Sequence, residues 1–340
     1  MRTIVSVILM LLFGTSHSIA QTMDDEPVLM GRSYYNSQDF DKALSYYNKA
    51  DKLLMEENDL SNYTMSAFFM QNHDKALEVA MYGLTRHPHH VVFNRMAFFN
   101  LTELKRYDEA LQYANALFDI CDSTTLTWFD YTYYGNAYVG TKQIDKAIEM
   151  YDKALAHEDL DNKSKHAGVV KLISDAYKSK ENYPIAIKYY KEYLANIDTP
   201  TANDLAGLAA LHVERANTLK DWDEKNAVLT EADSVYASLV SKHENAIEYA
   251  TFMRARVNAQ MDPDSKLGLA KPYYEKLIEL IEPRAEKDAT ERARIIESYR
   301  YMIAYNFIVK EDKDAAKAFA TKLQAIDPEN EIAKQILESK

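Results

Sequence analysis

Residues 39–50 read DFDKALSYYNKA, and the same pattern returns at residues 143–154 as QIDKAIEMYDKA. Each stretch has an alanine at its fifth residue, a tyrosine four residues later and a second alanine three residues after that. Side chains at i, i+4 and i+7 share one face of an α-helix. Each stretch therefore predicts a helix that packs small and aromatic residues against a neighbour, and the return of the pattern predicts an internal repeat.

The first alanine of this pattern recurs along the whole chain. The eight positions are Ala43, Ala76, Ala110, Ala147, Ala186, Ala232, Ala270 and Ala316. Their successive spacings are 33, 34, 37, 39, 46, 38 and 46 residues. A period of about 20 to 50 residues is typical of stacked repeat proteins. We therefore expect eight similar units.

Each unit has the pattern of a helical hairpin. Two residues before the alanine stands Asp41, and in later units Asp74, Asp108, Asp145 or Asp314, or in one unit Pro184. Aspartate is favourable in the first turn of a helix, where the helix dipole is positive and backbone N–H groups have no partner. Proline fits there because the N–H that it lacks would have been unpaired, so we expect the second helix to begin at these residues. Upstream, a small residue precedes a tyrosine by three positions, as in Gly31 with Tyr34 and Gly135 with Tyr138. A small residue lets two helices approach closely, which predicts the first helix of the hairpin.

This pattern resembles the tetratricopeptide repeat, including closing prolines at Pro88 and Pro328. The resemblance covers about Pro27 to Lys340 and implies an all-α fold, a right-handed superhelix of helical hairpins (an α-solenoid). We expect a C-terminal capping helix within Glu331–Lys340, with Ile332, Ile336 and Leu337 on its buried face. The C-terminal portion also resembles exported repeat proteins of Bacteroidetes.

Units six and seven depart from the ideal repeat. Residues are inserted before their second helices, at Lys220–Thr230 and Asp262–Leu267, so a different helix crossing is expected there. The turn-rich segment Asn196–Asn203 is the candidate joint between two parts. We therefore expect units 1–5 within residues 21–198, and units 6–8 with the cap within residues 199–340.

The first 20 residues have the pattern of a secretory signal peptide. Arg2 precedes the apolar run Ile4–Phe13, and Ser18 and Ala20 are small residues at positions −3 and −1 of a cleavage site. The apolar run is about 15 Å long as a helix, too short to span a bilayer. No cysteine follows the run to accept a lipid, so we expect a periplasmic or secreted protein with no membrane span.

Composition excludes several classes of protein. Eight glycines and eight prolines in 340 residues are too few for the turns of an all-β chain. Cleavage after Ala20 leaves 39 basic and 52 acidic residues, a net charge of −13, and no basic run favours a nucleic-acid partner. The lone Cys121 has no partner for a disulfide.

The motifs of catalysis or metal binding are incomplete. Residues 135–142, GNAYVGTK, resemble a phosphate-binding loop but carry an inserted Thr141 before Lys142 and no preceding strand. The cluster His87-Pro88-His89-His90 could bind zinc, but its proline is the repeat terminator, so solvated histidines are the better interpretation. We expect no metal and no cofactor.

The resemblance implies a binding groove lined by the first helix of each unit. The positions that match the family's groove positions are Arg32, Tyr35, Met65, Phe68, Arg95, Phe99, Phe129, Thr132, Asn136, Lys171, Asp175 and Lys178. Arginine and aromatic side chains are frequent at binding hot spots. The alternative for Phe68, Phe99 and Phe129 is that they form ordinary core between units. Thr132 replaces the lysine with which family members bind a C-terminal carboxylate, so we do not expect a partner of that kind.

These observations predict a non-enzymatic scaffold of the cell envelope that binds a partner polypeptide in its concave groove. A protein that binds envelope glycans or another small ligand is the alternative, because the chain contains 25 tyrosines that could stack on sugars. An enzyme is the third hypothesis, and it lacks a complete catalytic motif.

Overall fold

The computed structural model describes residues 26–157, 160 and 162–339. They form two compact units, divided between residues 176 and 177. Within these ranges the chain forms 17 α-helices and no strand, which confirms the expected all-α repeat fold. The predicted signal peptide lies outside the described residues. The sequence-based joint at residue 198 stays a prediction.

The first unit contains the hairpins α1–α2, α3–α4, α5–α6 and α7–α8, and the first and second helices of each hairpin pack together. The bounds are α1 Glu26–Asn36, α2 Phe40–Tyr47, α3 Glu57–Phe69, α4 His73–Arg86, α5 Val91–Glu103, α6 Tyr107–Ile120, α7 Trp128–Gly140 and α8 Ile144–Leu155. Helix α9, Lys163–Ser179, contains the division between the units.

The second unit continues with the second helix of hairpin 5 and with hairpins 6 to 8. The bounds are α10 Tyr183–Asn196, α11 Ala202–Thr218, α12 Trp222–Lys242, α13 Ile247–Met261, α14 Lys271–Ile281, α15 Ala289–Ala304, α16 Lys313–Ile326 and α17 Glu331–Glu338. Each helix of this series packs against the next one along the chain.

The alanines that define the repeat are the contact points between helices. All eight are at most 1% exposed. In hairpin 1 a Cβ on Gly31 would lie 2.7 Å from the ring of Tyr47, and in hairpin 4 a Cβ on Gly135 would overlap the ring of Tyr151. The small residue of the first helix is therefore required because the tyrosine of the second helix occupies the space of a side chain.

The turn inside most hairpins has one recurring conformation. The residue five positions before the alanine has a left-handed backbone with φ between 55° and 61° at Gln38, Gln71, Lys105, Lys142, Glu181 and Glu311. The second helix then begins within one residue of the predicted position. Capping differs from the prediction: the side chains of Asp39, Asn72 and Asp312 accept the first-turn N–H groups, whereas the predicted Asp41 lies inside the first turn.

Hairpin 6 lacks this turn, and most of Lys220–Thr230, expected as an insertion before the second helix, forms the start of α12. Hairpin 7 keeps the left-handed residue, since Ser265 lies five positions before Ala270 and has φ 55°. In hairpin 7 the buried carboxylate of Asp262 accepts the N–H groups of Leu267, Gly268 and Leu269 at 3.0, 2.7 and 3.3 Å. In both hairpins the first helix still packs against the second.

The capping helix α17 forms as predicted, with one correction. Ala333 is fully buried, and Ile336 and Leu337 pack partly buried against the same cluster. Ile332 is 37% exposed, so its predicted place on the buried face is wrong. It lies one position before Ala333, which puts it about 100° around the helix from that buried residue.

Candidate functional site

The two predicted groove arginines form ion pairs between neighbouring first helices. Arg32 donates to both oxygens of Asp59 at 3.0 and 2.8 Å, and Arg95 donates to both oxygens of Asp130 at 2.7 and 3.1 Å. Asp59 is 1% exposed and Asp130 is fully buried. These guanidinium groups therefore join hairpin 1 to hairpin 2 and hairpin 3 to hairpin 4.

The predicted groove phenylalanines lie in the packing of the first unit. The ring of Phe99 is 6.1 Å from that of Phe68 and 5.4 Å from that of Phe129. All three are at most 8% exposed. The ring of Tyr133, which the sequence analysis did not select, lies 4.2 Å from that of Phe99, and its hydroxyl donates to Glu103. Burial, and then this carboxylate, raise the pKa of Tyr133.

Four further groove candidates also bond within the first unit. The Tyr35 hydroxyl contacts the sulfur of Met65 at 3.3 Å, and burial raises the pKa of Tyr35 to about 12. Thr132 donates to the backbone oxygen of its own helix at residue 128, at 2.8 Å. Asn136 accepts from the hydroxyl of Tyr151 at 2.8 Å.

The candidates of hairpin 5 are charged and more accessible. Lys171 pairs with Asp175 at 2.9 Å in the first unit. Lys178 pairs with Glu214 at 2.8 Å in the second unit. The structure thus places Arg32, Tyr35 and Met65 together in the packing of hairpins 1 and 2. The predicted residues from Phe68 through Thr132 lie in the packing of hairpins 2 to 4.

Helix α5 explains why the predicted residues of the first unit lie inside the packing. Its residues from Val92 to Thr102 are buried without interruption. Neighbouring helices cover it on all sides, since α5 packs against α3, α4, α6 and α7. Partner binding by Arg95 and Phe99 stays a prediction, and such a partner would have to reach side chains that are at most 8% exposed.

A more accessible set of side chains lies on the first helices of hairpins 7 and 8, and the sequence analysis missed it. We call it the Phe252 surface: Glu248, Phe252, Arg256, Arg294 and Glu297. The guanidinium carbons of Arg256 and Arg294 lie 4.4 and 5.4 Å from the centre of the Phe252 ring. Arg256 donates to both oxygens of Glu297 at 2.9 and 2.6 Å, and Arg294 pairs with Glu248 at 2.5 Å. The side chain of Arg256 is 51% exposed.

A spacing signal could have found this surface. Glu248, Phe252 and Arg256 follow each other at intervals of four residues, which places them on one face of α13. Because unit 7 departs from the ideal repeat, its residues could not be matched to the family's groove positions.

A second accessible feature is a cleft in the first unit, bounded by α6, α7 and α8. Its volume is about 420 Å³. We call it the tyrosine cleft, after its aromatic lining of Phe118, Tyr131, Tyr134 and Tyr138. Pockets that bind small ligands commonly have volumes of about 300 to 1,000 Å³ and aromatic walls.

The histidines of the turn between α4 and α5 contact a carboxylate. His90 Nε2 lies 2.7 Å and His87 Nδ1 lies 3.3 Å from the carboxylate of Glu57. The Nδ1 atom of His90 accepts the N–H of Phe93 at 3.4 Å. Among the described residues no group of three or more histidine, cysteine or acidic side chains is arranged to hold a metal ion.

No helix in the described part of the chain has the length and apolar character needed to cross a membrane.

Comparisons with known proteins agree with this architecture. Residues 28–53 and 131–156, within hairpins 1 and 4, match the family model for the tetratricopeptide repeat. A crystal structure of the C-terminal part of a tetratricopeptide repeat-containing protein from Cytophaga hutchinsonii is 26% identical, covers 82% of this chain and 100% of its own, and superimposes with a TM-score of 0.64. MamA from Desulfovibrio magneticus is 18% identical over 51% of this chain and 96% of its own, with a TM-score of 0.42. A comparison with curated proteins gives no match. The fold is therefore that of a tetratricopeptide-repeat α-solenoid, and two of its hairpins match the family's own pattern.

Proposed function

We propose that this protein is a non-enzymatic scaffold that binds a partner polypeptide on the first helices of hairpins 7 and 8. Proteins with this fold typically bind other proteins. The Phe252 surface is the observation that carries the proposal, because it combines a partly buried aromatic ring with two arginines, of which Arg256 is exposed. Such residues dominate the binding energy of many interfaces.

The chemistry of the surface suits a polypeptide segment. The ring of Phe252 offers the part of its apolar area that is not packed against the core, while Arg256 and Glu297 offer donors and acceptors for backbone and side-chain groups. Their ion pair is exposed, with side chains that are 51% and 33% accessible. An exposed ion pair contributes only about 0–1 kcal/mol, so a partner can rearrange it at low cost.

Photocrosslinking tests this proposal directly. A photoreactive amino acid is placed at Phe252 or at Arg256 in the intact protein, and cells are irradiated. We expect one discrete crosslinked species, which mass spectrometry identifies as a polypeptide. A matched control carries the same amino acid at Arg106, which forms a comparable exposed pair with Glu109 on α6.

The control makes the test decisive. Crosslinks that are absent at Phe252 and Arg256, or equally frequent at Arg106, would contradict the proposal. Circular dichroism of each variant establishes that the helices remain formed.

The proposed location is the bacterial cell envelope, and it rests on the signal-peptide pattern of residues 1–20. Fractionation should place the protein in the periplasm or the medium, and N-terminal sequencing should begin at Gln21. Recovery from the cytoplasm with Met1 retained would contradict this location.

A further inference from the structure

Four aromatic rings line the tyrosine cleft in a row. The ring of Phe118 is 5.3 Å from that of Tyr131 and nearly perpendicular to it, at 80°, and it is 4.8 Å from that of Tyr134. Tyr134 stacks on Tyr138 at 4.7 Å, with the two rings 16° from parallel. The ammonium group of Lys146 lies 5.3 Å from the centre of the Tyr138 ring and ends this row. Phe118, Tyr131 and Tyr138 remain partly exposed, so their rings are accessible from the cleft.

Packing of the repeats accounts for two of these four rings. Tyr138 is the repeat tyrosine, three residues after Gly135, and Tyr134 is buried against Phe98. Phe118 and Tyr131 are additional, because the equivalent positions of hairpin 1 carry other residue types. Pro27 corresponds to Tyr131 and Asp51 to Phe118. Hairpin 1 forms its own packed pair of helices without these rings, so the fold does not require them.

The charges that line the cleft cancel. Lys146 and Lys153 face the cleft together with Asp119 and Glu149. Lys153 and Glu149 pair with each other at 2.8 Å. Asp119 makes no hydrogen bond or ion pair with another described residue. The full chain carries a net charge of −12, so a charge-balanced cleft differs from the protein's average surface and favours an uncharged ligand.

The cleft also offers both donors and acceptors of hydrogen bonds. The carboxylate of Asp119 accepts, and the ammonium of Lys146 donates. The side-chain oxygen of Asn115 accepts from the Tyr134 hydroxyl, which leaves the amide of Asn115 free to donate. Each hydroxyl of a sugar both donates and accepts, whereas the C–H face of a pyranose ring is apolar and stacks on aromatic rings.

We propose that the tyrosine cleft binds a neutral pyranose sugar, with its apolar ring face against Tyr131 and hydroxyl groups bonded to Asp119 and Lys146. The helix segment from Lys146 to Lys153 is about 10 Å long at 1.5 Å per residue, which provides room for a disaccharide. This site lies in the first unit, and the proposed polypeptide surface lies in the second, so each can fail without the other.

Calorimetric titration and saturation-transfer NMR test this site with maltose, cellobiose and N,N′-diacetylchitobiose. At least one of these disaccharides should bind with a dissociation constant of about 1 mM or lower. Tyr131→Ala should weaken that binding about tenfold, since it removes an aromatic contact. Asp119→Asn removes a charged acceptor at the surface and should weaken binding about three- to tenfold without affecting the fold.

A matched control is Tyr46→Ala, which removes a ring of the stacked pair Tyr34–Tyr46 in hairpin 1. It should leave the affinity for the sugar unchanged. The proposal is overturned if no disaccharide binds, or if Asp119→Asn and Tyr131→Ala bind as tightly as the unchanged protein. It is equally overturned if a neutral tetrapeptide, titrated in parallel, binds at the cleft and the sugars do not.

Discussion

Replacing Arg95 by methionine tests whether the predicted groove arginine is a structural residue. The change removes the partner of Asp130, whose carboxylate is fully buried and would keep only its bonds from the N–H and hydroxyl of Thr127, at 2.9 and 3.0 Å. Breaking a buried ion pair from one side costs about 3–5 kcal/mol. Because the bonds from Thr127 remain, we expect the lower end, a loss of about 3 kcal/mol in the free energy of unfolding.

The control is Arg256→Met, which breaks the exposed pair with Glu297 and should cost about 0–1 kcal/mol. The double variant Arg95→Met/Asp130→Asn removes the buried charge as well and should recover most of the loss. Urea unfolding gives the overall change. Hydrogen exchange locates it, because the stability of a repeat protein is a sum of local terms.

The exchange of amides in α5 and α7 should accelerate most in Arg95→Met. A loss below about 1 kcal/mol would refute the structural role of the buried pair, since that is the range of an exposed one. If Arg95→Met instead abolished partner crosslinking with unchanged stability, Arg95 would be a binding residue, as the sequence analysis predicts.

Three further changes test the fold. Gly135→Ala should lower the free energy of unfolding by about 1–3 kcal/mol in urea, because the new methyl group overlaps Tyr151; no loss would mean that the two helices can separate freely. His212 is 1% exposed, and burial lowers its pKa from 6.5 to about 4. The free energy of unfolding should therefore fall as the pH drops from 6.5 toward 4, because the unfolded chain binds a proton that the buried imidazole does not. This loss should approach about 3 kcal/mol and be absent in His212→Gln. Equal profiles of unfolding free energy against pH in the two proteins would refute it. Lys105→Gly should stabilise hairpin 3 by about 0.5 kcal/mol, because glycine adopts the left-handed turn without strain, and a lower melting temperature would contradict this.

The elements of the fold could be predicted because they depend on local and periodic signals. The repeat alanines located all eight second helices. The different helix crossing expected from the insertion at Asp262–Leu267 stays a prediction. Capping was predicted less well. Asp39 and Asp41 are both acidic, and only the backbone path shows that Asp39 is the cap.

The candidate site could be predicted only in part. The family positions identified Arg32 and Arg95 as important side chains, but their partners Asp59 and Asp130 lie 27 and 35 residues away along the chain. The tyrosine cleft escaped notice because Phe118 and Tyr131 belong to different hairpins.

The sequence by itself determined that the chain forms helical hairpins, where six of the second helices begin and which small residues lie at their contacts, because helix periodicity and the spacing of alanines are local properties. Only the tertiary structure decided which side chains remain accessible. Helix α5 presents arginine and phenylalanine at groove positions, yet four neighbouring helices bury it. Exposure depends on how closely neighbouring helices pack, a distance that no single repeat encodes.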